Sequence, residues 1–303
     1  MTIVQLEYIV AIDTYRSFNK AAAKCFVTQP TLSLQVQKLE DLLGVKLFDR
    51  NQQPVAPTRI GAEIIEKARL LLVDYKKIQE IAQNEKSELS GELNMGIITT
   101  VAPYLIPNIM TRFMGKHPNV KLNIWEETTG QIVSHLKSCT IDCGIVSTPL
   151  NEGGFLEFTL FTEKFVAYVG DKSPLSRKRQ LKPADVDAAD IWVLNEGHCM
   201  RDQVLNICQK KRDEGMHNYD FNTGSLETLR RMVDENNGAT ILPELALTDF
   251  TKEQQKKVRH FKSPEPFRNI GLITAKNLVK RRLIETLKNE IVDFFNTAVG
   301  DDR

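Results

Sequence analysis

The sequence predicts an α/β protein with an all-α N-terminal part. Three observations carry this. Apolar residues over positions 1–43 recur at helical spacing. A stretch of about 30 residues after Thr58 keeps that spacing with few breakers after Gly61. Beyond Gly91, short β-branched and apolar runs alternate with helical segments.

The elements follow in chain order. Leu6, Ile9, Val10 and Ile12 mark a first helix. Ser17 is placed to cap a short helix over residues 18–25, where Ala21, Ala22 and Ala23 let a neighbour approach closely. Thr28 caps a third helix, with Pro30 tolerated in its first turn. Leu32, Val36, Leu39, Leu42 and Leu43 form its apolar stripe, and Gly44 ends it. Residues 45–58 hold Pro54 and Pro57 and fit a short hairpin, or wing.

The long helix then runs from Thr58 to about Glu88. Ile64, Ile65, Ala68, Leu71, Leu72, Ile78 and Ile81 lie along one side. At about 45 Å it is too long to bury that stripe within its own small domain, which suggests a dimerisation helix. Residues 87–91 read as a hinge. Strands are expected at 93–98, 120–125 and 142–147, with helices at 104–116 and 131–138. A second set has strands at 165–169, 191–194 and 239–242, and helices near 201–214 and 225–236. A strand at 268–274 and a helix at 279–298 close the chain. This alternation implies a largely parallel sheet arranged as two α/β lobes with a cleft between them.

Composition narrows the function classes. Hydrophobic residues make up 42% and charged residues 26% of 303 positions, the range of soluble globular chains. No run approaches the length of a membrane helix, and Glu7 and Asp13 interrupt the first apolar pattern, so no signal peptide is read. The cytoplasm is the expected compartment, with no membrane contact. Five cysteines without an export signal argue against a disulfide framework. Net charge is +1, and residues 1–58 carry six Lys or Arg against five acids, so charge does not argue for nucleic acid.

The third helix does. Away from its stripe it shows Gln29, Thr31, Ser33, Gln35 and Lys38, the residue types that hydrogen-bond base edges and phosphates. A solvated face is the plain alternative. Cys199 and Cys208 stand nine positions apart near the start of an expected helix, beside His198 and Arg201. A helix N-terminus and a guanidinium both favour a thiolate. Spacing alone is weak, and Cys208, near Leu205 and Ile207, also suits a packed core position. Cys25 and Cys143 read as core thiols, and no His or Cys cluster completes a metal site around Cys139 and Cys143. Trp125 and Trp192 read as packing residues, and Lys256, Lys257 and Arg259 as a solvated cluster. His117, His135, His217 and His260 are isolated and receive no role.

The run from Ser17 to Ala23, then 27–33 (Val-Thr-Gln-Pro-Thr-Leu-Ser), 35–40 and 43–50 (Leu-Gly-Val-Lys-Leu-Phe-Asp-Arg) resembles the LysR-type regulators. The resemblance implies a winged helix-turn-helix over 1–58, a linker and dimerisation helix over 59–90, and a two-lobed sensing domain over 91–303. That domain would resemble periplasmic binding proteins, with lobe I at about 91–163 and 267–303 and lobe II at about 164–266. It also implies a recognition helix over 28–38, with Gln29, Pro30, Thr31, Ser33, Gln35, Lys38 and Arg50 on double-stranded promoter DNA.

Residues 197–203 (Gly-His-Cys-Met-Arg-Asp-Gln), with Cys208 following and 225–230 downstream, look like the peroxide-sensing members of that family. For those the resemblance implies redox-active Cys199 and Cys208. Thr100, Thr129, His198, Arg201 and Asp202 would contact the peroxide or support it. It implies an activator of oxidative-stress genes, a homodimer or homotetramer, RNA polymerase and a thiol reductant of glutaredoxin or thioredoxin type as partners. It implies neither enzyme turnover, cofactor nor metal. Asn195 and Glu196 before Gly197, and the charged stretch after Cys208, depart from the pattern. If the residues between the two cysteines are helical, their Cα atoms are ~13 Å apart, beyond the ~7 Å a disulfide spans. The pairing would therefore need the helix to be remodelled. The alternative within the family is a small metabolite bound between the lobes.

Overall fold

The computed structural model describes residues 1–303 except 85–87, 151, 188–190, 209–222, 277–278 and 301–303; the side chains of 79, 80, 82–84, 187, 208 and 297–300 are also outside the description. The chain forms two compact units, Met1–Ser87 and Glu88–Arg303.

The first unit contains α1 (Ile3–Tyr15), α2 (Phe18–Lys24), α3 (Gln29–Leu43), β1 (Phe48–Asp49), β2 (Ala56–Pro57) and α4 (Arg59–Asn84). Its helix starts are set by side-chain caps. The Thr2 hydroxyl accepts from the Gln5 amide, Ser17 from Lys20 and Thr28 from Thr31. Gly44 ends α3 at φ 68°, a left-handed conformation that glycine adopts without a Cβ penalty. Leu6, Ile9, Ile12, Ala21, Leu32, Val36, Leu39, Leu47, Ile65 and Ala68 form the core. The wing is the antiparallel pair β1–β2.

The expected α3 stripe is only partly right. Leu42 is 62% exposed, and Leu43 is exposed as well. The buried position in that last turn belongs to Glu40, 2% exposed. Its carboxylate accepts the Leu47 backbone N–H at 2.8 Å and pairs with Lys46 Nζ at 3.1 Å. A charge goes inside there because it satisfies the first backbone donor of the wing. On α4, Ile65, Ala68 and Leu72 are buried, whereas Leu71, Ile78 (66%) and Ile81 (70%) are exposed.

The second unit begins with β3 (Gly91–Ile98), α5 (Ala102–Lys116), β4 (Val120–Glu127), α6 (Thr129–Lys137), β5 (Cys143–Thr148) and β6 (Phe155–Val169). It continues through β7 (Gln180–Leu181), α7 (Pro183–Asp187), β8 (Ile191–Trp192), α8 (Cys199–Cys208), α9 (Leu226–Asn236) and β9 (Ala239–Pro243). The last elements are α10 (Lys252–Lys256), β10 (Val258–Phe261), β11 (Phe267–Ala275) and α11 (Arg281–Gly300). Strands β4, β3 and β5 are parallel neighbours, but β11 runs antiparallel to both β5 and β6.

The sheet is thus mixed rather than largely parallel. The cause is topological: β11 returns from the second lobe and inserts against β6. The expected strand at 165–169 is the far half of β6. The near half of β6 pairs with β11 and the far half with β9 and β10. Two cores result. One gathers Leu93, Ile97, Leu105, Ile145 and Leu272. The other gathers Val166, Tyr168, Leu229, Val233 and Ile241.

Several side chains depart from their sequence reading. Trp125 stands half exposed on β4, the edge strand, whereas Trp192 is buried. Lys257 is not simply solvated: it pairs with Asp234 at 2.8 Å and Asp171 at 3.5 Å. Arg259 donates to the Ser176 carbonyl at 2.7 Å. His135 is not isolated, since its Nδ1 lies 2.8 Å from Glu127. Cys143 is buried, and burial pushes its thiol pKa up. Cys25 is half-buried and shifts the same way, and Cys139 is exposed. Among the described residues no His, Cys, Asp and Glu group could hold a metal, and no helix is long and apolar enough to cross a membrane.

The wing and α4 meet at Gly61, where an added Cβ would lie 2.0 Å from the Leu47 carbonyl oxygen. Gly61→Ala is therefore expected to destabilise the first unit by about 2–4 kcal/mol, as strain against backbone does. Gly115→Ala, on α5 with nothing within 4 Å, is expected to stabilise by about 0.5–1 kcal/mol through helix propensity. Thermal melts of both variants check this pair.

Candidate thiol site and nucleic-acid interface

Helix α8 begins at Cys199 and ends at Cys208. The turn into it uses Gly197 at φ 89°. Its first turn straddles the two cores. Met200 is buried in the second core, and Cys199 packs against the first. Residues 209–214, which the sequence assigned to the same helix, lie outside the described residues.

Three other segments converge there. Thr99 and Thr100 follow β3. Thr128 and Thr129 start α6, where Thr128 and Gln131 form a reciprocal capping box. Residues 195–198 lead from β8 into α8. Thr100 is buried, and its hydroxyl accepts from Arg268 Nη1 at 2.9 Å. Arg268 Nη2 reaches the Thr100 carbonyl at 3.3 Å, and Nε donates to Glu163 Oε1 at 2.8 Å. Burial raises the Glu163 carboxyl pKa, and the Arg268 charge works against that rise. Because Thr100 Oγ1 accepts from a guanidinium, its own O–H is left to donate elsewhere.

Three buried polar atoms near this junction meet no protein partner: Thr129 Oγ1, Asn195 Oδ1 and Gln203 Oε1. The amide of Gln203 is oriented by its Nε2, which donates to Ser147 Oγ at 2.8 Å. His198 Nδ1 lies 3.1 Å from Thr99 Oγ1, and burial lowers the imidazole pKa. Arg201 Nη1 donates to the Leu194 carbonyl at 2.7 Å, which ties α8 to the segment after β8. Asp202 is exposed.

Sequence reasoning singled out Thr100, Thr129 and His198 but missed Gln203, Asn195 and Arg268. Gln203 stood inside the quoted motif and was legible as a polar residue one turn from Cys199. Arg268 had no local signal, since it arrives on a strand almost 70 positions away.

Between the lobes lies a cavity of about 780 Å³, whose walls include Thr99, Tyr104, Thr128, His198, Arg230 and Phe250. Thr100, Thr129 and Cys199 are not part of that wall; their immediate chain neighbours are.

On the first unit, Gln29, Ser33 and Arg50 share a groove of about 450 Å³ with Arg16, Asn19 and Gln53. Arg50 Nη1 donates to Ser33 Oγ at 3.3 Å, its guanidinium lies 5.2 Å from the Phe18 ring centre, and Nη2 is 3.8 Å from Glu40. Pro30, Thr31 and Lys38 are exposed on α3. Gln35 is not brought to this groove. It accepts from Gln5 Nε2 at 3.3 Å on the α1 side, because residues two apart on a helix face nearly opposite ways.

A helix-turn-helix with a wing, joined in one chain to a two-lobed α/β unit with a cleft, defines a DNA-binding regulator with a sensing domain. Residues 3–62 match the bacterial regulatory helix-turn-helix protein, lysR family, and residues 86–296 match the LysR substrate binding domain. The chain is 36% identical over 295 residues to the hydrogen peroxide-inducible genes activator of Haemophilus influenzae, covering 97% of each. It is 36% identical over 292 residues to the DNA-binding transcriptional dual regulator OxyR of Escherichia coli K12, covering 96% of this chain and 95% of that one. Among solved structures it is similar to a full-length OxyR variant from Pseudomonas aeruginosa, at 33% identity and a TM-score of 0.80 over 96% of this chain and 98% of that one. It is also similar to a hydrogen-peroxide-bound OxyR variant from Corynebacterium glutamicum, at 25% identity and a TM-score of 0.64, over 99% and 94%. The chain belongs to the LysR family of bacterial transcriptional regulators.

The Glu163–Arg268 pair gives a stability test. Arg268→Met strands a buried carboxylate and is expected to cost about 3–5 kcal/mol; adding Glu163→Gln should recover part of it. In the single variant the Glu163 carboxyl holds its proton more tightly folded than unfolded. Its stability should therefore fall as pH rises from the ordinary glutamate range through the folded pKa. Melting temperatures of the single and double variants against pH should diverge in that direction.

Proposed function

We propose that this regulator senses hydrogen peroxide through Cys199 and controls oxidative-stress genes. The observation that carries the reading is a half-buried thiol at the start of α8, near unsatisfied polar groups and the oriented Thr100 O–H. The Cys199 thiolate attacks one peroxide oxygen, the O–O bond breaks, and the leaving hydroxide takes up a proton as water. Thr100 donates to the leaving oxygen, while Thr129 and Gln203 offer acceptors for the peroxide protons. His198, Arg201 and Asp202 support these segments. The Cys208 thiol then displaces hydroxide from the Cys199 sulfenic acid, giving a disulfide and a second water. Overall, two thiols and one peroxide become one disulfide and two waters.

Cys199 and Cys208 sit at opposite ends of α8, ~13 Å apart along its axis, so the second step requires α8 to unwind. That remodelling is the proposed signal. A glutaredoxin- or thioredoxin-type reductant resets it, and RNA polymerase receives it at the promoter. The chain works in the cytoplasm as a dimer or tetramer through the linker at 59–90, whose helix α4 presents Leu71, Ile78 and Ile81 to a second copy. The DNA-binding part spans 1–58, and the sensing part spans 91–303 as two lobes. On promoter DNA, Gln29, Pro30, Thr31 and Ser33 face base edges, Lys38 and Arg50 meet phosphates, and Gln35 braces α3 against α1.

The cavity of about 780 Å³ between the lobes favours one second reading, a metabolite-responsive regulator. Thiol mapping and promoter footprinting after mild peroxide separate the two. A Cys199–Cys208 bond with an altered footprint, both lost in Cys199→Ser, supports peroxide sensing. An unchanged footprint with Cys199 still reduced favours the metabolite.

The interface makes its own prediction. Arg50→Ala should weaken binding to every sequence alike and lower the slope of log K against log salt by about 1, the signature of one lost phosphate contact. Titrations at several salt concentrations measure it.

A further inference from the structure

Helix α3 buries Leu32, Val36 and Leu39, each 0% exposed. Leu34 lies two residues from both Leu32 and Val36, so it stands on nearly the opposite side of the helix. It is 52% exposed and lies outside the core of the first unit. Its neighbours on the helix surface are Pro30 and Lys38, four residues away, and Thr31 and Gln37, three residues away; all four are exposed. The positions on either side of it are braced. On one flank Ser33 Oγ accepts from Arg50 Nη1 at 3.3 Å, and on the other Gln35 Oε1 accepts from Gln5 Nε2 at 3.3 Å. Leu34 is thus the crest of α3, an apolar side chain between two polar flanks.

A lone exposed leucine is ordinary on a protein surface. This one is set apart by its place. A helix that reads DNA lies in the major groove, where its crest approaches base edges and its flanks approach the backbones. A leucine on that crest has no donor or acceptor to offer a base edge. The apolar group that the major groove presents is the C5 methyl of thymine. Pro30, one turn earlier, extends the same apolar strip. A cytosine at that place would bring its N4 amino group against the leucine and lose water without gaining an acceptor.

We propose that Leu34 is a specificity-determining residue, which selects thymine over cytosine through contact with the C5 methyl, with Pro30 beside it. This rests on the reading of α3 as the recognition helix given above, and it is independent of the peroxide chemistry.

The test uses the full-length protein and the tightest-binding duplex that the wild type recovers from a randomised pool. Each thymine of that duplex is replaced in turn by deoxyuridine, which lacks only the C5 methyl. At the thymine that Leu34 meets, wild-type affinity is expected to fall about fourfold, the worth of one buried methyl-sized group. Leu34→Ala is expected to bind the thymine duplex at least about fourfold more weakly, with no further loss when that thymine becomes deoxyuridine. Leucine and alanine have similar helix propensity, so the melting temperature of the variant should match the wild type. Its salt dependence should also match, because no phosphate contact is lost; Arg50→Ala differs in that respect. A wild type indifferent to every deoxyuridine would overturn the inference, as would a Leu34→Ala variant that keeps the full methyl preference. Undiminished DNA affinity with weaker self-association in sedimentation would also overturn it and give Leu34 to a second copy. If Gln29→Ala and Ser33→Ala bind like the wild type as well, the reading of α3 falls too. If those two weaken binding while Leu34→Ala does not, the inference falls alone.

Discussion

The buried pair of Glu163 and Arg268 is the constraint on which the sensing unit turns. Their side chains are 3% and 0% exposed. Taking two such charges out of water costs several kcal/mol for each, and only dense hydrogen bonding offsets it. Arg268 meets this through contacts to the Glu163 carboxylate and to the Thr100 hydroxyl and carbonyl. Glu163 also accepts from the Leu245 backbone N–H at 3.4 Å. The two residues lie on β6 and β11, the strands that run between the cores. Slipping either strand by one residue would turn its charge to the other face and leave the partner unpaired. The pair therefore fixes the strand register and, through it, the position of Thr100.

The same economy of contacts governs α8. Its first turn contributes Met200 to one core and Cys199 to the other, while Gln203 reaches Ser147 on β5. A helix so placed cannot unwind locally without loosening both cores. On the proposed chemistry, a covalent bond between its two ends is set against these contacts. A packed element of this kind has discrete arrangements rather than a continuum, so one oxidation event acts as a switch rather than a gradual bend.

How much of this was legible depends on whether the determining contacts are local. Ser17, Thr28 and Gly44 announced the ends of α2 and α3 because capping is a matter of neighbouring backbone. The Leu42–Leu43 end of the stripe misled, because a buried acid, Glu40, has a partner in Leu47 that hydropathy does not register. The direction of β11 was hidden because hydrophobic runs carry no sign of strand polarity. At the site, Thr100 and Thr129 were identified through family likeness, but Arg268 and Gln203 follow from convergence in space. Gln35 was grouped with Ser33 by residue type, and only the helical turn separates them.

The DNA-reading unit presents a different balance. Residues 1–58 carry almost no net charge, so strong sequence-blind attraction to phosphate is not available to it. On the interface proposed above, binding then comes from a few cations held in place beforehand. Arg50 meets that condition: stacked near Phe18, bonded to Ser33 and steered by Glu40, it has little side-chain freedom left to lose. Glu40 at once neutralises part of the positive field and aims what remains, so its burial lowers general attraction while sharpening geometry. A regulator that must leave most of the genome alone gains from that exchange, since discrimination depends on the ratio of specific to non-specific binding rather than on affinity alone.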